Sequence, residues 1–104
     1  MNARSKQKGS RFEREIVKSA QTLGLTAHRV PLSGALADFP GDVVIVDQTG
    51  EAWTVEAKKR ASGFKQIYSW LKPDHVDVLV IGADRATALA VLPLDDWLLG
   101  LSQK

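Results

Sequence analysis

Cysteine is absent from the 104-residue chain. That excludes disulfides, thiolate metal sites and a cysteine nucleophile, and it leaves the redox compartment open. Histidine is scarce as well: His28 and His75 stand alone in different segments, so each reads first as an ordinary strand or turn residue rather than a metal ligand. No apolar run approaches the length of a membrane span, and the basic N-terminus is not followed by the apolar segment of a signal peptide, so a cytoplasmic protein with no membrane partner is expected. The rest is unexceptional. A hydrophobic fraction of 44% and a charged fraction of 25% describe a soluble globule of one domain. That domain is expected over residues 10–104, behind a flexible basic arm of residues 1–9. The arm carries Arg4, Lys6 and Lys8 and no acid, and either touches phosphates or merely solubilises.

Charge is unevenly spread. Residues 1–72 hold twelve Lys and Arg against seven Asp and Glu, whereas residues 73–104 hold two against five. Such an asymmetry suits a polyanion that approaches one side of the molecule, though many unrelated proteins share it.

The stretch GDVVIVDQTGEAWTVEAKK, residues 41–59, reads as a β-hairpin. Asp47 and Gly50 occupy the first and fourth positions of a type I turn, as a three-residue loop with a glycine bulge requires. Counting back from that turn sets Asp42 opposite Glu56, and Lys58 joins them on the same face because side chains alternate along a strand. Two carboxylates that close repel. A hard divalent cation such as Mg²⁺ offsets the repulsion, and a lysine beside it suits phosphodiester hydrolysis. The plainer alternative makes Asp42 a turn residue and Glu56 and Lys58 the solvated face of an amphipathic strand. Against it, Val44 and Val46 oppose Thr54 and Ala52 on one face while Val43, Ile45, Trp53, Val55 and Ala57 fill the other. The hairpin is therefore expected to be central and covered on both faces.

Upstream, Ser10 and Glu13 form a capping-box pair at the start of a helix over about 11–23, which Gly24 ends. Its apolar stripe is Phe12, Ile16, Ala20 and Leu23, with Glu13 at the border, either a cap or a third carboxylate leaning toward the hairpin; the spacing favours the cap. Residues 26–32 read as a first strand, limited by Pro31. Ser33 follows in a loop, as a phosphate contact or a plain turn serine. Downstream come a helix over about 64–71, with Phe64, Ile67, Tyr68 and Leu71 toward the core, and a nearly continuous apolar strand over 75–81. The latter is expected to be buried on both faces and paired parallel through a right-handed crossover. A final strand over 87–92 precedes a short C-terminal helix that is apolar nearly all round. That helix is either buried or a surface for a second copy of the chain, centred on Trp97.

Helix, three strands with an acid on the second and Glu-x-Lys on the third, helix, strand: this order resembles the PD-(D/E)xK nuclease superfamily. More narrowly, KGSRFEREI at residues 8–16, then HRVPLSG, GDVVIV and VEAKKR, resemble the archaeal-type Holliday junction resolvases and their phage relatives, over roughly residues 8 to 82. The resemblance implies an α/β, restriction-endonuclease-like core, helix-β-β-β-helix-β, with a central mixed sheet flanked by helices. It implies that Glu13 belongs to the site as well as to the cap, that Asp42, Glu56 and Glu13 bind Mg²⁺ or Mn²⁺, and that Lys58 assists the attacking water. Arg14 and Arg29 would hold DNA phosphates, with Ser33 near the scissile strand. The other basic residues expected on the DNA side are Lys8, Arg11, Lys59, Arg60 and Lys65. The family works as a symmetric homodimer in DNA recombination and repair. Two departures stand out: Gly41 precedes Asp42 where the signature has proline, Pro40 being displaced by one, and the segment from Arg85 onward does not match. The expected activity is a magnesium-dependent endonuclease on branched DNA. Its rivals are a nuclease of the same fold with nicked, flapped or duplex targets, and a DNA-binding module that does not cut.

Overall fold

The computed structural model describes residues 3–30, 42–72 and 74–103, with residues 3–8 described by backbone alone. In chain order the elements are helix α1 (Ala3–Thr22), strands β1 (Thr26–Arg29), β2 (Val43–Val46) and β3 (Ala52–Val55), helix α2 (Lys65–Trp70), strands β4 (Leu79–Ile81) and β5 (Leu89–Val91), and helix α3 (Leu94–Ser102). The succession helix, three strands, helix, strand is the expected one. Two compact units divide the chain, residues 1–59 with 98–104 and residues 60–97. No helix among the described residues is long and apolar enough to cross a membrane.

In the first unit, α1 packs on β1 and β2. Ile16 and Ala20, one turn apart, are buried on its inner face. The helix starts well before Ser10, so the capping box is not used: ARSKQKG holds no proline, and its one glycine costs only about 1 kcal/mol in a helix interior. Its end follows the sequence. Gly24 at φ 83° lets its own N–H reach the Gln21 carbonyl at 2.9 Å and the Leu25 N–H reach the Ala20 carbonyl at 3.1 Å, a Schellman pair.

Strands β1, β2 and β3 form one antiparallel sheet with β2 in the middle. Its registers are Ala27↔Ile45 and Arg29↔Val43 on one side, Val43↔Val55 and Ile45↔Trp53 on the other. Val43 and Ile45 are wholly buried, Ala27 nearly so, and a side chain of this size is worth roughly 1.5–3 kcal/mol when fully removed from water. Leu98 and Leu101 add to the buried set of this unit. The expectation of a hairpin covered on both faces holds for β2 alone. Thr54 and Ala52 of β3 are exposed, because β2 has a strand on either side and β3, among the described residues, has one.

In the second unit, Leu71 is buried and Phe64 and Ile67 half-buried. Tyr68, expected in the core, is instead 76% exposed. One residue beyond Ile67 is about 100° further round a helix, off the stripe that Ile67 and Leu71 define. The strand expected over 75–81 shrinks to β4, and Val80 at its centre is 66% exposed. In place of a parallel partner, β4 pairs antiparallel with β5, Leu79↔Val91 through Ile81↔Leu89. The cause is local. A turn closed by the Ala86 N–H on the Ala83 carbonyl at 3.2 Å, with Arg85 at φ 62°, folds the chain straight back. Every ladder among the described residues is thus antiparallel, where a mixed sheet is expected from the resemblance. Helix α3 follows Pro93, with Asp95 and Asp96 in its first turn, where the helix dipole favours acids; Leu98 and Leu101 are buried, Leu94 and Leu99 exposed.

Candidate active site

Antiparallel pairing brings the end of β1, the start of β2 and the end of β3 to one edge of the sheet. Arg29, Asp42, Glu56 and Lys58 stand there. Asp42 is fixed by three bonds. Its N–H donates to the Val55 carbonyl at 2.8 Å, its carbonyl accepts the Val30 N–H at 2.9 Å, and its Oδ2 accepts the Ala57 N–H at 3.0 Å. Since the ladder already pairs Val43 with Val55, two residues of one strand oppose one of the other, a β-bulge. Glu56 therefore does not sit squarely across from Asp42 as the count from the turn implies; the Asp42 carboxylate reaches one residue further, to Ala57.

Glu56 and Lys58 share a face, as alternation requires, with Lys58 Nζ 3.7 Å from Glu56 Oε2 and both side chains largely in water. A pair so exposed contributes little to stability. Each acid thus has a partner within the chain, a backbone N–H for Asp42 and an ammonium for Glu56, so mutual repulsion alone does not demand a cation between them.

Glu13 reaches the same edge from α1. Its Oε1 accepts the Arg29 Nε–H at 2.9 Å, and Arg29 Nη2 donates to Ser10 Oγ at 3.2 Å. Ser10 and Glu13, one turn apart on the helix, grip one guanidinium instead of capping a terminus. The structure therefore gives Arg29 an intramolecular partner. Lys59 Nζ lies 5.2 Å from the centroid of the Phe12 ring, a cation–π contact that ties the segment after β3 to α1. Among the described residues, no three His, Cys, Asp or Glu side chains are grouped closely enough to hold a metal ion. Arg11 and Arg14 are exposed on α1, and Arg60 and Lys65 are exposed in the second unit. The side chain of Lys8 and the whole of Ser33 lie outside the described residues, as do Pro31, Pro40 and Gly41.

At the opposite edge, the hairpin turn is built around Asp47, 5% exposed. The expected loop is present: the Gly50 N–H meets the Asp47 carbonyl at 3.0 Å with Gly50 at φ 89°, and the Asp47 N–H meets the Glu51 carbonyl at 2.9 Å. Unforeseen is the carboxylate's role. Oδ1 accepts the Thr49 hydroxyl at 2.6 Å and the N–H groups of Thr49 and Glu51 at 2.9 and 3.0 Å, while Oδ2 accepts the Trp53 indole N–H at 3.0 Å. The Thr49 hydroxyl and then the Trp53 indole hold the Asp47 carboxyl well below the usual carboxylate range; burial works against them, and the two backbone N–H groups add to them. Asp-x-Thr is an Asx-turn signal legible in sequence, but the indole partner requires the register.

Over residues 4–103, nearly its whole length, the chain matches a family described as "Phage putative PDDEXK endonuclease". No significant match to a curated protein or to a solved structure is found. A match that spans almost the entire chain places it in this phage PDDEXK endonuclease family.

Proposed function

We propose that the protein is a metal-dependent endodeoxyribonuclease that hydrolyses a phosphodiester bond in branched DNA, in the manner of a Holliday junction resolvase. What supports this reading is the nuclease family match, together with Asp42, Glu56 and Lys58 at one end of the sheet, the end at which Arg29 of β1 meets Glu13. The donor chemistry fits a hard divalent cation such as Mg²⁺ or Mn²⁺, for which carboxylate oxygens are the ordinary ligands. Asp42 and Glu56 would hold it; Glu13, bonded to Arg29 and not grouped with both of them closely enough to share an ion, would have to shift to serve as an accessory ligand. The bond from Ala57 orients the Asp42 carboxylate while occupying one of its roughly four lone-pair directions. A bound cation supplies positive charge against the charge that develops on the phosphoryl group.

Lys58 adds a mobile donor on the same face, suited to steadying the attacking water or a phosphoryl oxygen. Arg29, Arg14, Arg11, Lys59, Arg60, Lys65 and Lys8 are the phosphate contacts of this reading. Arg29 and Lys59 must leave or share their present partners to serve. A homodimer through α3 around Trp97 accounts for the exposed Leu94 and Leu99, and would place two sites on the two strands of a branch.

The test is cleavage of a labelled four-way junction beside the matching linear duplex, with Mg²⁺, Mn²⁺ or EDTA, by wild type and Glu56→Ala. Paired metal-dependent nicks confined to the junction, and lost in Glu56→Ala, are expected. Equal cutting of both substrates would defeat the junction assignment and leave a nuclease of other target. Binding with no metal-dependent cutting would defeat catalysis altogether.

A further inference from the structure

Residues 57–72 carry Lys58, Lys59, Arg60, Lys65 and Lys72 and not one acid. Within that stretch the short helix α2 leaves Tyr68 76% exposed, its ring outside the stripe formed by Phe64, Ile67 and Leu71. A large ring left in water beside cations does not stabilise the fold by burial. Lys65, three residues before Tyr68, is its neighbour on the helix surface. Next to Lys65 lies an open surface depression lined by Gly63, Lys65, Gln66 and Ser69. Its walls offer an ammonium, an amide and a hydroxyl. The amide and hydroxyl are already held together, Gln66 Nε2 donating to Ser69 Oγ at 3.2 Å and Ser69 Oγ to the Gln66 carbonyl at 2.9 Å.

We infer that α2 is a stacking platform for an unpaired nucleotide, Tyr68 taking the face of the base and Lys65 the adjoining phosphate. The charge selects the class of partner: five cations and no acid along residues 57–72, of which Lys58 has an acidic partner in Glu56 just before the stretch, suit a polyanion and disfavour an apolar protein surface. The ring selects the form. In a duplex each base face is covered by its neighbours, whereas an unpaired base has a free face, and stacking on an aromatic side chain is indifferent to which base it is. This inference rests on the endonuclease reading for its purpose, and adds to it that an unpaired nucleotide exposed at or beside the branch point strengthens binding.

The experiment uses the full chain in EDTA, which separates binding from cleavage. Anisotropy of labelled oligodeoxythymidine and of a labelled duplex of the same length is measured for wild type, Tyr68→Ala and Tyr68→Phe, with circular dichroism confirming that each folds. Loss of one base stack should weaken oligodeoxythymidine binding by Tyr68→Ala about 5- to 100-fold, with Tyr68→Phe retaining affinity and the duplex scarcely affected. Unchanged oligonucleotide affinity in Tyr68→Ala, equal losses on both probes, or no wild-type binding of oligodeoxythymidine would each overturn the platform. Metal-dependent cleavage is scored separately. Ring-dependent binding without cleavage overturns the nuclease reading alone, and cleavage without ring dependence overturns the platform alone.

Discussion

Two aspartates flank β2, and the chain treats them in opposite ways. Asp47, just after the strand, is nearly buried and its two oxygens accept four donors from Thr49, Glu51 and Trp53. Asp42, just before it, accepts a single donor among the described residues, the Ala57 N–H. A carboxylate offers about four acceptor directions. Asp47 has filled that capacity and is a structural residue; the Asp42 carboxylate, with one donor among the described residues, keeps acceptor capacity to spare there. Burial and satisfaction mark the acid that makes the hairpin, and incomplete satisfaction marks the acid the hairpin presents.

The sharpest way to break this contrast is to neutralise each acid in turn. Asp42→Asn keeps an oxygen for the Ala57 N–H and should leave the fold intact, yet reduce metal-dependent cleavage by about 10³-fold or more, as when a group that stabilises the transition state is removed. DNA binding in EDTA should hold or tighten, since a negative charge near phosphate is lost; weakened binding would mean that Asp42 is structural after all. Asp47→Ala should do the reverse. It removes the acceptor of the bonds from the Trp53 indole and the Thr49 hydroxyl, and a fall in Tm of about 5 °C or more is expected for a domain of this size, with activity per folded molecule unchanged.

Acid titration sharpens the contrast further. Asp47 has its carboxyl held below the ordinary 3.8, so its contribution is fully present above that pH and is lost as pH falls from there toward its lowered value. Denaturant midpoints measured from pH 5 downward should fall for wild type and flatten in Asp47→Asn; parallel curves would show the carboxylate to be energetically idle. The smallest effect belongs to Trp53→Phe, which removes one donor of the four and should lower the Tm less than Asp47→Ala does.

Much of the site was legible because it depends on local rules. Asp47 and Gly50 announce a turn, the turn sets the register, and the register delivers Glu56 and Lys58 to one face. Gly24 closed α1 as its position predicted. What the sequence concealed depends on contacts remote in the chain. Ser10 and Glu13 are spaced as a cap, but a guanidinium sixteen residues beyond Glu13 claims both. The bulge at Asp42 is invisible to a count from the turn, because such a count assumes an unbroken ladder. HVDVLVI has the composition of a covered strand, yet a tight turn at Ala83–Ala86 gives it a neighbour from its own hairpin and leaves Val80 outward.

The bulge also separates two things that a regular strand would lock together. Side-chain alternation along β2 begins at Val43, so the core residues Val43 and Ile45 answer to one set of constraints. Asp42 stands outside that alternation, its direction set by its own bonds to Val30, Val55 and Ala57. The hydrophobic interior and the acidic tip can then be substituted on independent schedules. In this chain a change in the packing around Val43 and Ile45 need not re-aim the Asp42 carboxylate, and a change of that acid need not unsettle the residues beside it.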